Sequence, residues 1–330
     1  MKIAPLIGFP GRKLTQTTIK ENLQDENVQL ETLLAIEQRF RPDIIFTFMD
    51  LSVEAQAINL HVEFPEDDSP NVVEYPVGDN ICLKKYETLD FETIFESSRM
   101  KLFANLVRKF KKASETKLSA YVIGPFSLAG LMAGATELML SVVCEQQFLS
   151  CLLDFTNSLV IQYAQRLIDA GADYITILEP TAVMLSPKQF QDFVSPRISK
   201  LSSELSVPSI LHICGDTTHL FSEFRKLKSI FGLSLDSDVD LRLAYERTRK
   251  TVIGNVNPVI IARASKQRIY REISALVRKM EGISDFVLSS GCDLPPETPL
   301  DNISLFWRIF SKFDSQKLSC ASFSQVDVKC

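Results

Sequence analysis

The chain has 330 residues, 45% hydrophobic and 23% charged, which is the balance of a globular protein able to bury a sizeable core. A formal net charge of −5 and a pI near 5.4 argue against a nucleic-acid-binding protein, and no apolar run approaches the roughly 18 residues of a membrane span. Seven thinly spread cysteines, an odd number, do not form a secreted disulfide framework and point to a reducing cytoplasm. Pro5, Pro10 and Arg12 break the N-terminus too early for a signal peptide.

In chain order, a helical pattern over 18–40 opens with Thr18 and Glu21 at capping-box spacing. The strand DIIFTFMD (43–50) follows. The stretch 60–97 is too long and acidic for an ordinary βα loop and reads as an inserted hairpin over a barrel mouth. The basic run 98–117 reads as a helix with a solvated charged face. Strands are then predicted at 119–126, 173–180, 209–216, 230–238, 250–258 and 284–293. Helical patterns lie around 129–170, 187–205, 217–228, 241–248 and 264–281, with Gly171 placed to cap the longest. The polar tail from Ser311 reads as a frayed end, giving a barrel over 1–310 and a flexible segment over 311–330. Cys82, Cys144 and Cys151 read as core or helix-face residues.

Strands alternating with helices imply a parallel sheet with right-handed crossovers. Seven such strands, several ending in chemically active residues, predict an α/β fold: a (β/α)8 TIM-type barrel with an N-terminal helical segment. The eighth strand has no clear place in the sequence. No glycine-rich phosphate loop follows any strand, which leaves a dinucleotide-binding fold without support.

In barrels, reactive residues gather where the strands end. Asp50, Glu179, His212, Cys214, Asp236 and Cys292 all lie at or near such ends. His212 and Cys214, in SILHICGD (209–216), are two residues apart in a strand and so point the same way. Cys292 ends a distant strand in DFVLSSGCDLPPETP (285–299). One imidazole and two thiols make a soft ligand set that suits zinc with its fourth position open. The alternative, a buried histidine and two inert thiols sharing a face, stays open on the residues alone.

GPFSLAG (124–130), LEPTAVMLSPKQFQDFVSP (178–196), HICGD (212–216), GNVNP (254–258) and SGCDLPPETPLDNI (290–303) together resemble the uroporphyrinogen decarboxylase superfamily. More narrowly they resemble its corrinoid-dependent methyltransferase branch, as do GFPGRKLTQTTIKEN (8–22) and the run at 48–72. The resemblance covers roughly residues 5–310 and implies the branch's H-x-C…C zinc signature, carried by His212, Cys214 and Cys292. A porphyrin decarboxylase has a histidine where Cys292 stands and an arginine-rich N-terminal segment where this chain has only Arg12 and Lys13. Asp50 falls where the decarboxylases keep a pyrrole-binding aspartate, and its other reading is a strand-end residue bonded to nearby backbone.

The resemblance implies an enzyme that moves a methyl group from a methyl-corrinoid to a small thiol such as coenzyme M. Zinc would hold the thiol as a nucleophilic thiolate. Glu179 is a candidate fourth ligand, proton acceptor or orienting partner, with Asp50 as a second catalytic candidate. Asp50, Asp236 and Asn255 are candidate cofactor contacts, and Asp216 and Asp293 could orient ligands or cap helices. No corrinoid-binding D-x-H-x-x-G motif surrounds His61 or His219, so the corrinoid is expected on a separate protein or free. The alternatives are a tetrapyrrole decarboxylase and a non-catalytic corrinoid- or zinc-binding accessory protein.

Overall fold

Eight parallel strands curl into one sheet in the computed structural model, which describes residues 2–76, 86, 88–309 and 311. They are β1 (Lys2–Ile3), β2 (Ile44–Phe46), β5 (Lys117–Ile123), β6 (Tyr174–Leu178), β7 (Ser209–Ile213), β8 (Ile230–Leu235), β9 (Thr251–Val256) and β10 (Phe286–Ser290). Their order is β1-β10-β9-β8-β7-β6-β5-β2. Asp43 draws the two ends together: its N–H donates to the Ile3 carbonyl (2.8 Å), and its carboxylate accepts the Ile3 N–H (2.6 Å). This is a nearly closed (β/α)8 barrel.

The seven strands read from sequence are all present, somewhat shortened. The eighth is β1, and the helical segment at 8–40 follows it. Every residue of β7 and β10 is buried, as strands covered on both faces require. Side chains alternate between an outer layer against the helices and an inner column. Ala4, Leu6, Ile44, Phe46, Tyr121, Leu178, Ile210, Ile253 and Val287 fill that column, so the barrel is packed rather than hollow.

Two predicted helices are subdivided. The first breaks at Asp25, whose extended backbone ends Ile19–Gln24 and whose side chain caps Glu26–Phe40. The second becomes Pro125–Ala133, Ala135–Cys144 and Gln146–Asp169, with breaks at Gly134 and Glu145. The Thr18–Glu21 capping box forms, and Gly171 takes φ 111° just past the longest helix.

The inserted hairpin pairs β3 (Val62–Glu63) with β4 (Asn71–Val72). Its Phe64 ring lies 4.6 Å from the Arg99 guanidinium, and Asp67 pairs with Arg12 at 3.2 Å. The hairpin therefore packs beside the mouth, near the ends of β1 and β2. Cys144 and Cys151 are exposed on helices; Cys82 and the tail, Ser311 excepted, fall outside the described residues. Among the described residues no single helix is long and apolar enough to cross a membrane.

Candidate metal centre

The two-residue period of β7 turns Ile210 and His212 into the barrel, and Cys214 continues on the same side just past the strand. His212 Nε2 lies 3.1 Å from Cys214 Sγ, Cys214 Sγ 3.3 Å from Cys292 Sγ, and Cys292 Sγ 3.7 Å from His212 Nε2. Among the described residues this is the one set of three or more His, Cys, Asp or Glu whose ligand atoms all fall within 4.8 Å of one another. His212 is buried; the two cysteines are partly exposed towards the mouth.

His212 Nδ1 meets Ser234 Oγ at 2.9 Å, across the β7–β8 pairing that sets His212 beside Ser234. With Nδ1–H donating to the hydroxyl, Nε2 presents its lone pair to the sulfurs. The hydrogen bond with Cys214, and then burial, push the Cys292 thiol far above its ordinary range. A cation reverses that cost by drawing all three lone pairs to itself. Asp293 Oδ2 is a further buried atom beside the centre with no partner among the described residues. The donor set thus fits a soft divalent metal.

Close backbone approach holds the centre in place. Gly291 lies where a Cβ would come within 2.6 Å of the Ser237 nitrogen, so only glycine lets β10 deliver Cys292 against the β8 loop. Asp236 takes the Gly215 N–H (2.9 Å) and the Ser237 hydroxyl (3.1 Å). Asn255 donates to the Asp236 and Val239 carbonyls at 2.8 and 2.7 Å. Two of the three candidate cofactor contacts, Asp236 and Asn255, therefore tie down the loops beside Cys214 and Cys292. Asp216 accepts the Thr218 N–H (2.9 Å) in a local turn, while the N-cap of the short helix Thr218–Leu220 is Thr217 and not Asp216.

Glu179 stands slightly apart. Its backbone pairs with His212, but its carboxylate turns to the start of helix Pro125–Ala133 and accepts the Phe126 and Ser127 N–H groups at 3.1 and 2.6 Å. Gly124 leaves it room: a Cβ there would fall 2.2 Å from Glu179 Oε2. Burial raises this carboxyl to about 7, against the N–H bonds that favour its charge.

Asp50 lies past the end of β2, in a second buried cluster. It pairs with Arg99 and accepts the Ser52 N–H (2.7 Å) and hydroxyl (2.6 Å). Arg99 also donates to Ser52 Oγ at 2.8 Å and to Gln56. Glu54 lies beside them, bonded to the Ile123 N–H at 2.9 Å, and burial raises it to about 8. The basic helix Arg99–Ala113 thus differs from its sequence reading, because its first residue is buried against Asp50. Sequence reasoning also passed over Ser234 and Tyr121. Alternation along β5 is the signal for Tyr121, since it places Ser119 and Tyr121 on the inward face.

The uroporphyrinogen decarboxylase family model matches residues 11–313. The chain belongs to that family. Among curated relatives, the methylcobamide:CoM methyltransferase MtbA of Methanosarcina acetivorans is 26% identical over 77% of this chain and 75% of its own length. A uroporphyrinogen decarboxylase of Picrophilus torridus is 23% identical over 89% of this chain and 87% of its own. Among solved structures, a methyltransferase from Methanosarcina mazei superposes with a TM-score of 0.85 at 21% identity, covering 94% of both chains. These relatives place the chain in an enzyme family that includes methyltransferases and decarboxylases, and the superposition supports the barrel.

Proposed function

We propose that this protein transfers a methyl group from a methyl-corrinoid to a small thiol. The observation that carries the reading is the mutual contact of one imidazole and two thiols at the barrel mouth. Porphyrin decarboxylation has no use for such a soft set, whereas thiol activation does. The first loop adds to the case: Arg12 is paired with Asp67, and Lys13 donates to the Thr298 carbonyl at 3.0 Å. That loop offers little to a substrate bearing many carboxylates.

His212, Cys214 and Cys292 would hold zinc, which when bound lets an acceptor sulfur enter the open position as a thiolate. The chain's residues do the rest. Ser234 fixes the imidazole, while Asp236 and Asn255 brace the loops that carry the cysteines. The packed inner column closes the floor, so substrates enter from the mouth. In the transfer the acceptor's S–H proton leaves to solvent and a sulfur–carbon bond forms. The cobalt–carbon bond breaks, with its electron pair remaining on the corrinoid as cobalt(I). The donor corrinoid is taken to arrive free or on a separate protein, in a compartment reducing enough to keep both thiols free.

Methylcobalamin with a panel of small thiols tests this reading. Methyl thioether and a cobalt(I) absorption band are the expected products, and uroporphyrinogen should lose no carboxyl groups. Decarboxylation without thiol methylation would replace this reading with the decarboxylase one.

A further inference from the structure

Tyr121 is buried to 8% exposure on the inward face of β5, its ring stacked on Phe46 at a centroid distance of 5.7 Å. Its ring does the work of an inner-column hydrophobe, but its hydroxyl makes no hydrogen bond among the described residues. The oxygen is not among the fully buried unpartnered atoms, so it stays open to a molecule that enters the barrel. The strand register sets Tyr121 beside Thr176 and Thr176 beside Ile210, which precedes His212 on the same inward face, so the phenol stands one layer below the candidate metal centre. Asp293 Oδ2 is a buried polar atom beside that centre without a partner among the described residues. A hydroxyl without a protein partner, on the inward face one layer below three soft ligands, can meet a molecule held among them.

We propose that Tyr121 is a positioning residue for the acceptor thiol, its hydroxyl donating a hydrogen bond to the acceptor's sulfur. This rests on the thiol-methyltransferase reading. A phenol is a good donor to a thiolate, and one such bond restricts the sulfur to the direction that leaves its remaining lone pair towards the mouth. Because the contact is to sulfur, it serves every thiol alike, whatever its remaining structure.

The test uses zinc-loaded protein, with 2-mercaptoethanol and 2-mercaptoethanesulfonate as probes in calorimetry. Tyr121→Phe keeps the ring and its stack on Phe46, so zinc stoichiometry and thermal midpoint should match the wild type. Affinity should fall about tenfold, and equally, for the neutral and the anionic thiol. A tyrosine difference spectrum should accompany thiol binding in the wild type and vanish in the variant. Unchanged affinity for both probes would overturn the assignment, as would a loss confined to the sulfonate, which would make the hydroxyl a head-group contact. Wild-type protein that bound zinc but neither thiol would instead defeat the methyltransferase reading, and this proposal with it.

Discussion

At the ends of β7 and β10, His212, Cys214 and Cys292 crowd their lone pairs together with no cation among their partners. Around the ends of β2 and β5, Asp50, Ser52, Gln56 and Arg99 form a cluster in which each charge already has its counterpart. Both clusters are polar, buried and close to the mouth. The difference is satisfaction: one set pairs its charges within the chain, whereas the other, on the function proposed above, would be completed by a bound metal. Asp50 ended a strand just as Cys292 did, so position alone could not separate a scaffold residue from a site residue.

Breaking the complete cluster should have the largest effect on stability. Arg99→Met leaves the Asp50 carboxylate buried and unpaired, and should cost about 3–5 kcal/mol in urea unfolding. A cost below about 1 kcal/mol would mean that the pair is better solvated than the packing indicates.

The next effect falls on the incomplete cluster. Ser234→Ala frees the His212 ring and should weaken zinc binding roughly 10- to 100-fold in a competitive chelator titration, with little change in the unfolding midpoint. Equal zinc affinity in the variant would show that the strand alone fixes the ring.

The smallest effect concerns Glu179, whose carboxyl is raised by burial from 4.5 to about 7. Between those values the unfolded chain has released the proton while the folded chain still holds it, so stability falls as pH rises through that window. Glu179→Gln should remove this slope from the stability–pH curve and cost about 1 kcal/mol near pH 5 through one lost N–H acceptor. Part of the slope that remains belongs to Glu54, raised to about 8 by burial, and that part should disappear in Glu54→Gln; the buried Asp293 carboxyl, also raised, keeps its own share. An unaltered curve in both variants would place the pH dependence elsewhere.

These contrasts mark what the sequence could reveal. Seven strands were legible because parallel strands covered on both faces are short apolar runs. β1 was not, because a two-residue strand between Met1 and Pro5 carries no period. The H-x-C spacing was legible because strand alternation is local, and Cys292 joined it through a strand end and a family resemblance. Arg99 was not legible, since its burial depends on Asp50, a residue 49 positions away that approaches only through the sheet. The direction of Glu179 was hidden too, being decided by the room that Gly124 leaves in front of a helix N-terminus.

The central claim is that His212, Cys214 and Cys292 are one metal centre. Zinc content of the purified chain, set beside that of the Cys214→Ser/Cys292→Ser double variant, tests it most directly. About one zinc per chain is expected in the wild type, because three ligands and an open position make one tetrahedral site. The double variant should hold almost none, yet unfold near the wild-type midpoint. Full zinc occupancy in that variant, or none in the wild type, would contradict the account.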